Sequence, residues 1–141
     1  MPLEVEEPPF VDEHRIRIRE PRERVWPVLR AYGDTLATAR HRLLAPVLGT
    51  DPASGFVVDQ EVPGSLVCLS GRHRFSVYRL AFELAGTEDG STLLSARTRA
   101  AFPGAAGRAY RALVIGSGGH AVAVRWMLVV IRRAVATEQQ R

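Results

Sequence analysis

Apolar and polar residues follow two different periods along this chain, and the change of period divides it. The early and central stretches alternate every second residue, as strands with one buried face do. In "HRIRIRE", Ile16 and Ile18 fall on one side and Arg15, Arg17 and Arg19 on the other, inside a first strand expected over Asp12 to Arg19. "FVVDQEV" (Phe56 to Val62) and "SLVCLS" read as two strands joined at a Pro63-Gly64 turn. Regular alternation there puts Asp59 and Glu61 together on a solvated face, opposite Phe56, Val58 and Val62. "RFSVYRLAFEL" sends Tyr78, Leu80, Phe82 and Leu84 one way and Arg79 and Glu83 the other. "TLLSARTRAAF" answers with Leu94, Ala96, Thr98, Ala100 and Phe102 against Arg97 and Arg99. Between them, Asp89-Gly90 in "TEDGS" signals a tight hairpin of the primed type. The sum is an antiparallel sheet of five or six strands with one wet and one buried face.

Helical spacing appears in two places. In "EPRERVWPVLRAYGD", Pro21 stands near a start, Glu20 and Glu23 suit a first turn, and Gly33-Asp34 reads as an exit. Pro27, five residues in, predicts a kink or a late start. A second helix is expected over about Leu36 to Leu48, so two short helices follow the first strand. After Pro103-Gly104 no proline occurs, and Leu113, Ser117, His120, Val124, Met127 or Leu128, and Ile131 recur at three- and four-residue steps. This predicts one long helix to about Thr137, its apolar stripe turned to the sheet. Within it, Gly116, Gly118 and Gly119 cost roughly 1 kcal/mol each relative to alanine. "VIGSGGHAVAV" is therefore the expected bend, or the point of closest approach to the sheet.

At 141 residues the chain is about one domain long. The prolines and acidic residues at its start mark residues 1–11 as a flexible arm before a single domain over 12–138. Hydrophobic content of 46% and charged content of 24% are ordinary for a globular protein. No apolar run reaches the roughly 20 residues of a membrane span, the acidic start is unlike a secretory signal, and Cys68 is the sole cysteine. These features predict a cytoplasmic protein without stable membrane insertion. Cys68 itself reads as a small buried hydrophobe.

Missing residue types exclude chemistry outright. All 19 basic residues are arginine, and neither lysine nor asparagine occurs. A Schiff-base nucleophile, a lysine-bearing phosphate loop and a Cys-His-Asn triad are ruled out. The net charge of +4 is spread along the chain without a basic, aromatic-studded stripe, so no nucleic-acid partner is expected. His14, His41, His73 and His120 show no metal-ligand spacing, and no metal or cofactor is predicted.

The order strand, helices, antiparallel strands and long terminal helix resembles the START-like (SRPBCC) superfamily of polyketide cyclases, dehydratases and lipid-transfer proteins. The residues that carry the resemblance are "IRIREPRERVWPVL" (Ile16 to Leu29), a strand, a proline turn and a Val-Trp pair on the first helix. "FPGAAGRAYRALV" before the terminal helix supports it. The resemblance implies an α+β helix-grip fold, a curved sheet wrapped around the terminal helix with a mostly apolar cavity between them.

Such a cavity would be lined by His120, Ser117, Leu113 and Val124 from the helix and by Tyr78, Leu80, Phe82 and Thr98 from the sheet. His120 is the leading polar candidate, since its ordinary pKa near ~6.5 suits an acid, a base or a ligand hydrogen bond. No carboxylate falls on a face expected to point inward. Binding or transport of a small hydrophobic molecule is the first reading. A cyclase or dehydratase using His120 is the second, and a non-enzymatic interaction module with a filled core is the third. Dimerisation through the terminal helix or an edge strand is compatible with all three.

Overall fold

The computed structural model describes residues 8–38, 56–73 and 76–139. Its elements in chain order are β1 (Phe10–Ile18), α1 (Arg22–Thr38), β2 (Val57–Val62), β3 (Leu66–His73), β4 (Ser76–Gly86), β5 (Thr92–Ala101), α2 (Gly104–Val114) and α3 (Gly119–Gln139). Beyond residue 38, the second helix expected over Leu36 to Leu48 lies outside the described residues. The five strands form one antiparallel sheet in the order β1-β5-β4-β3-β2. Strands β2 to β5 are a simple meander, and β1 joins its far edge beside β5.

The alternation along β4 and β5 is obeyed. Leu80, Phe82 and Leu84 are buried on the face shared with Leu94, Ala96, Thr98 and Ala100. Two helices cover that face. Helix α1 brings Val25 and Leu29 into the core, and α3 brings Val124, Leu128, Ile131 and Val135. Every one of these side chains leaves less than a twentieth of its surface in water, the arrangement a helix stripe on a one-sided sheet is built for.

Several local expectations change. β1 begins at Phe10, before Asp12, and Ala100 donates its N–H to the Pro9 carbonyl at 2.9 Å. Helix α1 starts at Arg22, so Pro27 does not delay it. Pro27 and Glu23, whose carbonyl loses its helical donor to the proline, are both exposed to water, which limits the cost. Nor does α1 stop at Gly33-Asp34. Gly33 is buried inside the helix, where a Cβ would stand 3.1 Å from Val67 Cγ1, so the glycine serves the close approach of α1 to β3.

Two turns and one strand also depart from the simple pattern. The Pro63-Gly64 turn has Gly64 at φ +82° and closes through Ser65 N–H to the Val62 carbonyl at 3.0 Å, as a type II turn should. The β4–β5 connection is not the primed two-residue turn, because among the described residues none other than glycine has positive φ. Instead Asp89 Oδ1 accepts from the Ser91 N–H at 3.0 Å and from the Thr87 hydroxyl, and Gly90 takes φ +84°. In β2, a bulge between Val58 and Gln60 breaks the alternation. Asp59 therefore reaches Arg79 on the outer face at 3.6 Å, while Glu61 reaches Arg30 of α1 at 3.1 Å. The two carboxylates do not share a face.

Candidate functional site

A polar chain runs through the contact between β1, β5 and α3. Thr98, 5% exposed on β5, has its Oγ1 3.1 Å from His120 Nε2 in the first turn of α3. The same Nε2 lies 3.3 Å from Asp12 Oδ1 on β1. The other oxygen of that carboxylate, Oδ2, is 3.1 Å from His14 Nε2. Arg125 Nε–H then donates to His14 Nδ1 at 3.4 Å.

The donors in this chain follow from chemistry. A carboxylate only accepts, so both histidines present Nε2–H to Asp12. His14 then offers a lone pair on Nδ1, which is what the Arg125 donor requires. His120 is left with Nδ1 as its basic nitrogen. A carboxylate that accepts from one ring nitrogen fixes the tautomer and orientation of an imidazole, the orienting role seen in acid/base dyads.

Local backbone structure places each member. A register shift between Phe10 and Asp12 sets Asp12 directly across from Thr98, on the inner face. His14 follows two residues later on the same face, opposite Ala96. His120 is positioned by the helix break before it. α2 and α3 meet at 57°, and Gly118 makes the turn at φ +81°, a conformation that side chains with a Cβ rarely adopt.

That break reassigns two of the expected lining residues. Leu113 belongs to α2, whose rotation no longer matches α3, and it is 71% exposed instead of facing the sheet. Ser117 is exposed too, with its hydroxyl spent on the break: it donates to the Leu113 carbonyl and accepts from Gly119 N–H at 3.3 Å. Leu80, Phe82 and Val124 sit in the packed core. Thr98 and His120 do meet. Tyr78, half-buried on the same sheet face, packs edge-on against Phe56 with centroids 5.4 Å apart. Burial, with a smaller push from Tyr110, raises its hydroxyl pKa to about 12.

Asp12 and His14 were missed by the sequence reading, although a signal existed. Both share the parity of Ile16 and Ile18, the two residues that fixed the inner face of β1. The carboxylate absent from the expected inward faces is Asp12. The histidines, far apart in sequence, converge on it. Among the described residues no group of three or more His, Cys, Asp or Glu is arranged to hold a metal ion. The side chain of His73 and all of His41 and Arg74 lie outside the description.

Open space lies beside the chain. A groove of about 670 Å³ runs between β1 and α3, lined by Glu13, His14, Arg15, Ile16, Arg125, Leu128 and Val129. Ile16, Leu128 and Val129 form its apolar floor, and Glu13, His14, Arg15 and Arg125 its polar lining. The polar chain therefore links buried Thr98 to an open groove. A smaller hollow of about 210 Å³ lies on the opposite face of the sheet, among Arg79, Arg97, Arg99 and Glu83.

No protein-family model matches the sequence, and no curated protein matches it either. Solved structures match at the level of architecture. A conserved protein from Geobacillus kaustophilus aligns over 89% of this chain and 94% of its own, with TM-score 0.57 and 13% identity. A point mutant of norcoclaurine synthase from Thalictrum flavum, in complex with a transition-state analogue, aligns over 92% and 98% with TM-score 0.55 and 15% identity. The truncated form of that synthase aligns over 93% and 98% with TM-score 0.52 and 14% identity. The architecture is that of a helix-grip fold, with five antiparallel strands and a long C-terminal helix.

Proposed function

We propose that this protein binds a small hydrophobic molecule between the sheet and the C-terminal helix, on the β1 side. The observation that carries the reading is the Thr98–His120–Asp12–His14 chain, which opens onto an apolar-floored groove. Binding sites for small molecules are mostly apolar, with a few placed polar groups. Here Ile16, Leu128 and Val129 take the apolar body, and His14 and Arg125 take a polar or anionic group. The single cysteine fits a reducing compartment, and we place this work in the cytoplasm.

Anilinonaphthalene sulfonate, an apolar fluorophore with one anionic group, tests the site. The reading expects saturable enhancement with one site, weakened at least tenfold in His14→Ala and Val129→Asp, with melting temperatures preserved. Non-saturable enhancement, or equal affinity in the variants, rejects it. Native mass spectrometry of the freshly purified protein then looks for a co-purifying small molecule.

A second reading is favoured by the Asp12–His120 pair. An acid/base enzyme of the cyclase or dehydratase type needs such a pair near an enolisable carbon. Norcoclaurine synthase, of the same fold, is an enzyme caught with a transition-state analogue. In heavy water, an enzyme of this kind exchanges the methyl protons of acetophenone faster than buffer does, and His120→Gln abolishes the difference. Equal exchange with both proteins leaves binding alone.

A further inference from the structure

Helix α3 is apolar on two opposite sides, and only one of them is used by the core. Val124, Leu128, Ile131 and Val135 face inward. Val122, Trp126, Val129 and Arg133 stand four, three and four residues apart on the other side. Val122 is 70% exposed and Trp126 57% exposed. A surface helix ordinarily turns a polar face to water, so an outward apolar stripe carrying a tryptophan marks a contact surface.

The charges around the stripe are of one sign. From Gly104 to Thr137 the sequence has five arginines, Arg108, Arg111, Arg125, Arg132 and Arg133, and no aspartate or glutamate. Among the described residues none of the five pairs with a carboxylate. Arg125 bonds His14, Arg111 lies 5.9 Å from the Phe102 ring centre, and Arg133 lies 5.6 Å from that of Trp126. No single helix is long and apolar enough to cross a membrane, while α2 and α3 together have the apolar content of a span but are bent by 57°. That combination, with tryptophan beside arginine, is what an in-plane interfacial helix uses.

We infer that the outward face of α3 is a docking surface for an anionic lipid bilayer, with Val122, Trp126 and Val129 at the interface and Arg125, Arg132 and Arg133 among the headgroups. A second copy of the chain fits less well. A two-fold contact would set these arginines against their own copies. A helix of this length is also only about 30 Å long and 10 Å wide, well short of the roughly 800 Å² that each partner of a stable dimer buries. A bilayer supplies both missing parts, acyl chains for the tryptophan and negative charge for the arginines.

The test is flotation of the full chain with vesicles of phosphatidylcholine, with and without roughly one quarter phosphatidylserine. The protein floats with the anionic vesicles, stays behind with the neutral ones, and is released by salt. Trp126→Gln lowers the vesicle affinity about tenfold or more. Arg132→Gln and Arg133→Gln lower it roughly fivefold each. All three positions are exposed, and unchanged melting temperatures show that the fold is kept. Equal recovery on both vesicle types, no recovery on either, or indifference to Trp126→Gln overturns the inference. So does a concentration-dependent dimer by sedimentation that Trp126→Gln dissolves, or salt-steep retention on duplex DNA in place of vesicles. Trp126 belongs to neither the polar chain nor the lining of the groove, so dye binding at His14 is retained in Trp126→Gln whichever way flotation falls.

Discussion

The inner face of the sheet holds two neighbouring regions that obey the same alternation and end differently. In the row Ile16–Leu94–Leu84, all three side chains are apolar, and Leu94 and Leu84 are sealed. Two rows away, Asp12–Thr98–Leu80 occupies the same face at the same depth for Thr98 and Leu80, yet carries a carboxylate and a hydroxyl. Burial is nearly equal, and only the partners differ. The apolar row is closed by dispersion and water exclusion. The polar row survives because His120 descends from α3 to satisfy both oxygens, and that satisfaction is directional. Dry packing holds the first region together; hydrogen-bond geometry holds the second.

The largest expected effect breaks the apolar side of this contrast. Leu94→Ala should cost about 2–5 kcal/mol of unfolding free energy in denaturant titration, since it removes a fully buried side chain. If it costs no more than Thr98→Val, for which about 1 kcal/mol is expected, the two rows do not differ in kind. Asp12→Ala comes next, at about 1–3 kcal/mol, because two imidazole N–H groups lose their acceptor. Dye affinity should fall more steeply in Asp12→Ala than in Leu94→Ala, measured where both remain folded.

Gly118→Ala should cost about 1–2 kcal/mol by forcing a Cβ into the left-handed region at φ +81°. It should also weaken dye binding, since the break it disturbs is what presents His120. The smallest effect concerns pH. Tyr78 has its pKa raised from the ordinary 10 to about 12, first by burial and then by Tyr110. Its contribution is complete below pH 10, where tyrosine is neutral in both states. Between pH 10 and about 12 the unfolded chain releases the proton first, so stability falls as pH rises through that window. Tyr78→Phe should flatten that part of the decline in alkaline denaturation curves, and an unaltered curve would show that burial does not hold its proton.

Period alone made most of the fold legible, because a one-sided sheet leaves its alternation in the residues of β4 and β5 without interruption. Where it misled, an irregularity of a single residue was at work. The bulge in β2 separates Asp59 from Glu61, and the register shift in β1 sets Asp12 opposite Thr98. Neither leaves a mark in composition. The break at Gly118 was visible as a run of glycines, but its 57° angle depends on backbone geometry that no count of glycines supplies. Leu113 and Ser117 were misplaced for that reason. Gly33 misled in the opposite direction: a residue that ordinarily ends a helix was needed for room against Val67.

The pairing of β1 with β5 also decides when the site can exist. The Asp12–His120 contact closes over 108 positions of sequence, while the β2–β5 meander is built from neighbours. Contacts of such separation form late, after local ones have shortened the loop they must close. A growing chain can therefore complete the meander and still lack the Asp12–His120 contact. The Asp12–His120 contact arrives with the last helix, so the polar chain is complete only when the first strand and the final helix are both in place.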